Sequence, residues 1–126
     1  MNPQHLKYTE NHEWIRDDGK LFVVGITEYA AEQLGDITYI ELPEVGLDVA
    51  QDDDVASVES VKAASEVYAP VGGRVAAINE RLIDQPEIVN KSPYEDGWFF
   101  KLEDIERVEF DALMNAAEYE TYLKEQ

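Results

Sequence analysis

The side chains that most often carry nucleophilic or metal chemistry form no catalytic pattern in this sequence. There is no cysteine, so the chain can form neither a disulfide nor a thiolate metal site. His5 and His12 do not have a spacing that places two metal ligands on one face of an element. The serines lack a histidine base at a catalytic spacing. We therefore predict no catalytic residue, no hydrolase chemistry and no metal site.

One lysine differs from its surroundings. Lys62 is the single basic side chain between residues 22 and 73, and its neighbours in the segment Ser-Val-Lys-Ala-Ala are mostly small. The carboxylates of the same stretch are Glu28, Glu32, Asp36, Glu41, Glu44, Asp48, Asp52, Asp53, Asp54, Glu59 and Glu66. Because Lys62 lies between two predicted strands, we expect its amine at an exposed hairpin tip, within reach of another enzyme.

Two kinds of lysine chemistry can be separated at this position. A lysine that forms a Schiff base must be partly neutral near neutral pH, which requires desolvation or a neighbouring cation. Glu59 and Glu66 instead favour the charged ammonium of Lys62. A lysine that a dedicated enzyme acylates needs only exposure and a rigid setting. The sequence favours the second chemistry, and an ordinary surface lysine is the alternative.

Short β-strands are predicted to hold this hairpin. Apolar alternation or β-branched residues mark the segments 12–16, 21–26, 37–42, 55–60, 66–69, 74–78 and 98–102. The Asp18-Gly19 pair between the first two segments predicts a hairpin turn. Strands this short and this closely spaced are typical of a compact barrel or sandwich.

Helices are predicted at two places. Thr27 can cap a short helix that ends at Leu34, with Gly35 at its C-terminal cap. Apolar residues recur at helical spacing between 105 and 123, and Asn115 with Glu118 has the layout of a capping box. The segment 79–97 is rich in turn residues and is predicted as an irregular connection.

Composition limits the partners. The chain has 126 residues and a formal net charge of −18, which repels phosphate backbones and anionic membrane surfaces. Its apolar runs are much shorter than the roughly 20 residues that span a bilayer. The N-terminal residues lack the layout of a secretion signal or a transit peptide. We expect a cytoplasmic protein that binds neither nucleic acid nor membrane, and its charge favours a monomer.

The segment VESVKAASEVYAP at 58–70 closely resembles the lipoyl-lysine hairpin of the glycine cleavage H-protein family. The resemblance extends over nearly the whole chain. Further motifs similar to those of the family occur in the family's order and are HEW at 12–14, VGIT at 24–27, LGD at 34–36, ELPEVG at 41–46, the Asn79 segment and SPYEDGW at 92–98. A biotin carrier would have methionines beside its lysine, where this chain has Val61 and Ala63.

The resemblance implies a mainly β fold of the barrel-sandwich hybrid type, with a short internal helix and C-terminal helices. It implies a single carrier domain over residues 1–126, with its core at about 5–103 and a helical part at about 104–126. Lys62 would carry lipoic acid in amide linkage. The dithiolane would supply the sulfur chemistry that a chain without cysteine lacks.

The resemblance also implies a carrier that is not itself an enzyme. Its partners would be a pyridoxal-phosphate glycine decarboxylase, a tetrahydrofolate-dependent aminomethyltransferase, dihydrolipoyl dehydrogenase and the enzymes that transfer lipoyl or octanoyl groups. The arm would carry an aminomethyl group and electrons among them, and would fold back into a surface cleft. By resemblance, Glu13 and Glu66 face the cationic amine there and Ile26 lies on the apolar wall.

Glu66 stands where the family commonly has aspartate, and Gly72-Gly73 where Ser-Gly is common. The sequence leaves two other functions open. One is a lipoyl-relay donor, or a paralogue that serves another lipoate-dependent system. The other is an acidic interaction module whose lysine is never modified. If a transit peptide has been removed, the mitochondrial matrix replaces the cytoplasm as the expected location.

Overall fold

The computed structural model describes residues 2–125, and most of its regular structure is β-strand. The strands are β1 (Lys7–Tyr8), β2 (Glu13–Asp17), β3 (Phe22–Ile26), β4 (Ile37–Glu41), β5 (Asp48–Val49), β6 (Asp54–Ser60), β7 (Ala64–Tyr68), β8 (Gly73–Ile78) and β9 (Phe100–Glu103). A six-stranded sheet has the order β1-β2-β3-β9-β8-β5, and a three-stranded sheet has the order β4-β6-β7. The mainly β fold with two sheets is confirmed. The strands of the described residues form two open sheets rather than a closed barrel.

All the strand pairs are antiparallel, and burial explains their sequences. Every residue of β3 is buried because both faces of this central strand are covered: Phe22, Val24 and Ile26 belong to one apolar cluster and Val23 to another. In β6 the buried Val58 lies between the half-buried Ser57 and the exposed Glu59, as expected where one sheet face is solvated. The seven predicted strands are present within a few residues. β1 and β5 were not predicted, since two residues are too few to show alternation.

Two apolar clusters stabilise the sheets. The larger one lies between them and includes Ile15, Val24, Val58 and Phe100. The smaller one lies on the other side of the six-stranded sheet and contains Leu6, Tyr8, Trp14, Val23, Ala116 and Tyr119. The C-terminal part of the chain therefore contributes its own side chains to the packing of β1, β2 and β3.

The helices are short, and two of them begin as predicted. Helix α1 (Glu28–Leu34) is capped by Thr27, and α5 (Ala116–Lys124) begins with the capping box of Asn115 and Glu118. The remaining helices are α2 (Arg81–Asp84), α3 (Ile88–Lys91) and α4 (Arg107–Asp111).

The prediction of an irregular connection over 79–97 was wrong at α2 and α3, which place Leu82, Ile88 and Val89 in the core. One helical turn is too short for a period to be recognised. Among the described residues, no helix has the length and apolar character needed to cross a membrane.

Candidate functional site

Lys62 lies at the tip of the hairpin between β6 and β7, and its side chain is exposed. The turn is closed by a backbone hydrogen bond from Ser60 N to Ala63 O at 2.8 Å. The Ser60 hydroxyl oxygen accepts hydrogen bonds from Lys62 N at 3.2 Å and Ala63 N at 3.1 Å. One serine thus satisfies two of the three backbone donors of the tip, so the lysine extends from an ordered turn rather than from a loose loop.

The tip rests on the segment that follows helix α1. Val61 N donates a hydrogen bond to Asp36 O at 3.1 Å. Gly35 has φ 76° and ψ −150°, a backbone conformation that is essentially restricted to glycine. A Cβ atom on Gly35 would lie 2.9 Å from Cε of Lys62. The aliphatic stem of the lysine therefore passes directly over the backbone of Gly35, and a side chain at this position would displace it.

A cleft of about 290 Å³ opens beside the lysine hairpin. One wall is helix α1, and the other is the start of β7. The residues that line the cleft are Asn11, His12, Tyr29, Ala30, Gln33, Leu34, Ala63, Ala64 and Ser65. Because Ala63 follows Lys62 directly, a long group attached to the lysine amine could reach this cleft by folding back along α1.

His12 forms the floor of this region together with aromatic side chains. Its ring lies 4.7 Å from the Tyr29 ring, measured between centroids. Its Nδ1 atom is 2.8 Å from the Tyr119 hydroxyl, which is also 2.8 Å from the Thr27 hydroxyl. Burial lowers the pKa of His12. These hydrogen bonds join helix α5 to the N-terminal cap of α1, so the C-terminal helix supports one wall of the cleft.

Glu13 follows the cleft residues Asn11 and His12 directly, and its side chain is buried with only 1% of its surface exposed. One carboxylate oxygen accepts a hydrogen bond from the Thr9 hydroxyl at 2.6 Å, and the other from Tyr68 N at 3.1 Å. Desolvation nevertheless raises the pKa of Glu13 from an ordinary 4.5 to about 7. Glu13 is therefore a buried carboxyl group that can exchange a proton near neutral pH.

None of the three predicted pocket residues, Glu13, Ile26 and Glu66, lines the cleft. Ile26 pairs with Glu13 in the β2–β3 register and is 3% exposed, inside the larger core. Glu66 is two residues beyond Ala64 in β7 and does not line the cleft. Glu66 lies instead in a second depression, of about 390 Å³, whose lining also includes Glu41 and Asp54.

The depression around Glu66 is acidic. A hydrogen bond with Asp54 raises the pKa of the Glu66 carboxyl, and the nearby charge of Glu41 acts in the same direction. In the cross-strand register, Ser57 lies between Glu41 and Glu66. The solvated face of the three-stranded sheet is thus strongly negative close to the lysine hairpin. Among residues 2–125, no group of three or more His, Asp or Glu side chains is arranged to hold a metal ion.

Several cleft residues were missed by the sequence analysis. Tyr29, Ala30, Gln33 and Leu34 have the spacing of one helical face, and a helix over this segment was predicted. That spacing could have identified the face. It could not have shown that the lysine hairpin is the element opposite, because the contact joins residues far apart in the chain.

The arrangement is suited to carrying an attached group. The exposed amine of Lys62 is accessible to a modifying enzyme, its turn is fixed by hydrogen bonds, and a cleft lies within reach of an attached arm. The chain offers no cysteine for redox chemistry of its own. The geometry therefore fits a lysine that presents a covalently attached group.

Comparisons with known proteins give a consistent result. Residues 6–126 match the family described as glycine cleavage H-protein. A glycine cleavage system H protein from Listeria monocytogenes serotype 4b is 50% identical over 121 residues, which cover 96% of this chain and 97% of the relative. The protein of the same name from Psychrobacter sp. is 54% identical over 123 residues, with coverage of 96% and 97%.

A solved structure supports the same relationship. The crystal structure of a glycine cleavage system H protein from Mycobacterium marinum matches with a TM-score of 0.87 and 32% sequence identity. The match covers 98% of this chain and 99% of that one. Similarity of fold and of sequence therefore extends from end to end.

Proposed function

The chain belongs to the glycine cleavage H-protein family, and from this premise we propose that it is the lipoyl carrier of a glycine cleavage system, with lipoic acid in amide linkage to Lys62. The observation that carries the proposal is the position of Lys62. It is the exposed tip residue of a hydrogen-bonded turn, and it lies beside a cleft of about 290 Å³.

The residues present fit a lipoyl group. When attached, it supplies a disulfide that accepts the aminomethyl group and electrons, which no side chain of this cysteine-free chain can do. The cleft has apolar walls from Ala30, Leu34 and Ala64 and polar groups from Asn11 and Gln33. Such a mixed lining suits an apolar chain that ends in a polar group. The ordered turn fixes the starting point of the arm.

In this proposal the protein docks and presents, and it catalyses none of the reactions itself. Its partners are the pyridoxal-phosphate glycine decarboxylase, the tetrahydrofolate-dependent aminomethyltransferase, dihydrolipoyl dehydrogenase and the enzymes that attach lipoyl or octanoyl groups. The negative face around Glu41, Asp54 and Glu66 supports fast encounter with these partners, because opposite charges raise association rates more than they tighten complexes.

We propose Glu13 as the carboxylate that acts on a cationic amine at the end of the arm. It is buried and follows the cleft residues Asn11 and His12 in the chain, and its pKa of about 7 lets it change charge near neutral pH. Ile26, its register partner, supports it from the core side. Glu66 lines a separate depression, so contact between Glu66 and the arm requires the arm to leave the cleft.

We further propose a bacterial cytoplasmic location and a monomeric carrier. The relatives named above come from bacteria. A formal net charge of −18 opposes self-association of so small a chain.

Reconstitution with the purified partner enzymes tests the proposed function. We expect glycine-dependent NADH formation with the wild-type chain and none with Lys62→Arg, which keeps the charge but cannot be lipoylated. Lys20→Arg is the matched control, since Lys20 lies in the exposed turn between β2 and β3 and should leave the rate unchanged. Equal rates for Lys62→Arg and wild type would favour an unmodified interaction module. A modified Lys62 without glycine turnover would favour the relay donor.

A further inference from the structure

Asn90 makes two hydrogen bonds to the segment on which the lysine turn rests. Its Nδ2 atom donates to Gly35 O at 2.8 Å, and its Oδ1 atom accepts from Ile37 N at 2.9 Å. A single side-chain amide therefore uses both its donor and its acceptor on backbone groups that lie on either side of Asp36. This pairing fixes the path of the backbone through Gly35, Asp36 and Ile37.

The clamped segment touches the lysine turn at three places. Asp36 O accepts the hydrogen bond from Val61 N at 3.1 Å. Ile37 pairs with Ser60 in the β4–β6 register. Gly35 passes under Cε of Lys62. The segment 35–37 thus sets the position of the turn relative to helix α1. Because Gly35 has no side chain, this segment depends on other residues to hold it in place.

Asn90 is held by the core. It lies in helix α3, whose neighbouring residues Ile88 and Val89 are buried, and Ser92 N donates to Ile88 O at 2.8 Å where the helix ends. The Asn90 side chain therefore transmits the position of a core-anchored helix to the exposed lysine turn. Its sequence neighbours give no sign of this, because the partners are more than fifty residues away.

We propose that Asn90 is a positioning residue for Lys62. It holds the Gly35–Ile37 support in one conformation, so that the lysine amine is presented in one orientation to the enzyme that modifies it. This inference rests on the proposed function, since it concerns the lysine that would receive the lipoyl group. Loss of the clamp lowers the fraction of chains with a correctly placed turn, which weakens apparent binding to the modifying enzyme without changing the chemical step.

The test combines a local structural readout with enzyme kinetics on the unmodified full chain. Amide hydrogen exchange of Val61 reports directly on the hydrogen bond to Asp36. Lipoylation by a lipoate ligase with ATP and lipoic acid gives KM and kcat for the protein substrate. In Asn90→Ala we expect exchange at Val61 to be about tenfold faster, because two hydrogen bonds that hold its acceptor segment are lost. We expect KM to rise several-fold and kcat to stay within about twofold.

Two further variants keep the test decisive. Asn115→Ala is the matched control, because it also removes a side-chain amide that accepts a backbone hydrogen bond, here in the capping box of α5. It should change neither the exchange rate at Val61 nor the KM of lipoylation. If Asn90→Ala fails to fold, Asn90→Asp replaces it, since the carboxylate still accepts from Ile37 N but cannot donate to Gly35 O. It should raise KM and the Val61 exchange rate in the same direction.

The outcomes separate the inference from the proposed function. Failure of the ligase to modify the wild-type chain at Lys62 would contradict the proposed function. If the wild type is modified, then unchanged exchange at Val61, or unchanged KM despite faster exchange, would overturn the role of Asn90. An equal rise of KM in Asn115→Ala would also overturn it, because a general loss of stability would then explain the result.

Discussion

The buried carboxyl group of Glu13 should make the stability of the protein depend on pH in a defined window. Its pKa is about 7 in the folded chain, against an ordinary 4.5, because burial disfavours the charged form more than the hydrogen bonds from Thr9 and Tyr68 favour it. In the unfolded chain the group ionises at its ordinary pKa. The folded state therefore binds a proton that the unfolded state has lost, and stability falls as pH rises from about 4.5 to about 7.

The size of the effect follows from the shift. One pKa unit corresponds to about 1.4 kcal/mol, so the full shift corresponds to about 3 kcal/mol. Between about pH 5 and about pH 8, some 2.5 kcal/mol of this contribution is lost, and above about pH 8 almost none of it remains to be lost. Glu13→Gln removes the ionisation while keeping the shape of the side chain. The amide oxygen can still accept one of the two hydrogen bonds. Because the amide does not ionise, the free energy lost with the other bond is the same at every pH.

Urea denaturation of wild type and Glu13→Gln at several pH values measures the effect. The other acidic residues destabilise both proteins alike as pH rises, so only the difference in free energy of unfolding between them is used. We expect the wild type to lose about 2.5 kcal/mol relative to the variant from about pH 5 to about pH 8. A constant difference across this range would refute the assignment of a raised pKa to Glu13.

Further outcomes are expected. Gly35→Ala should destabilise the fold by about 1–3 kcal/mol, because φ 76° with ψ −150° strains any residue with a Cβ atom. Urea denaturation measures this loss, and an unchanged midpoint would exclude the strain. Tyr119→Phe should cost about 1–2 kcal/mol through the hydrogen bonds to His12 and Thr27, whereas a cost near zero would show that these bonds do not hold α5. The rates of the reactions with the partner enzymes should fall with added salt well before the fold is lost. NADH formation measures the rates and circular dichroism follows the fold at the same salt concentrations. Rates that do not depend on salt would remove the role assigned to the acidic face.

The parts of the fold that depend on local sequence were predictable. The cap at Thr27, the glycine at the end of α1 and the capping box of Asn115 and Glu118 are defined by residues a few positions apart. The longer strands show their alternation within one segment. The two-residue strands β1 and β5 and the single-turn helices α2 and α3 are too short to carry such a signal, and their conformations depend on packing against the rest of the chain.

The candidate site was predictable to a different degree at each residue. Lys62 could be identified because its charge differs from that of all its neighbours, and because the surrounding motif resembles that of a known family. The cleft wall on α1 and the clamp by Asn90 could not be identified, because both depend on contacts between distant segments. The separation of Glu66 from the cleft could not be identified either, because Glu66 shares its depression with Glu41 and Asp54, which lie on two other strands.

The central claim is that Lys62 carries lipoic acid. The intact mass of the protein from cells supplied with lipoic acid, together with fragment sequencing across residues 57–68, tests it most directly. We predict a single lipoyl adduct, confined to Lys62. An unmodified Lys62 in cells whose other lipoyl proteins are modified would contradict the claim.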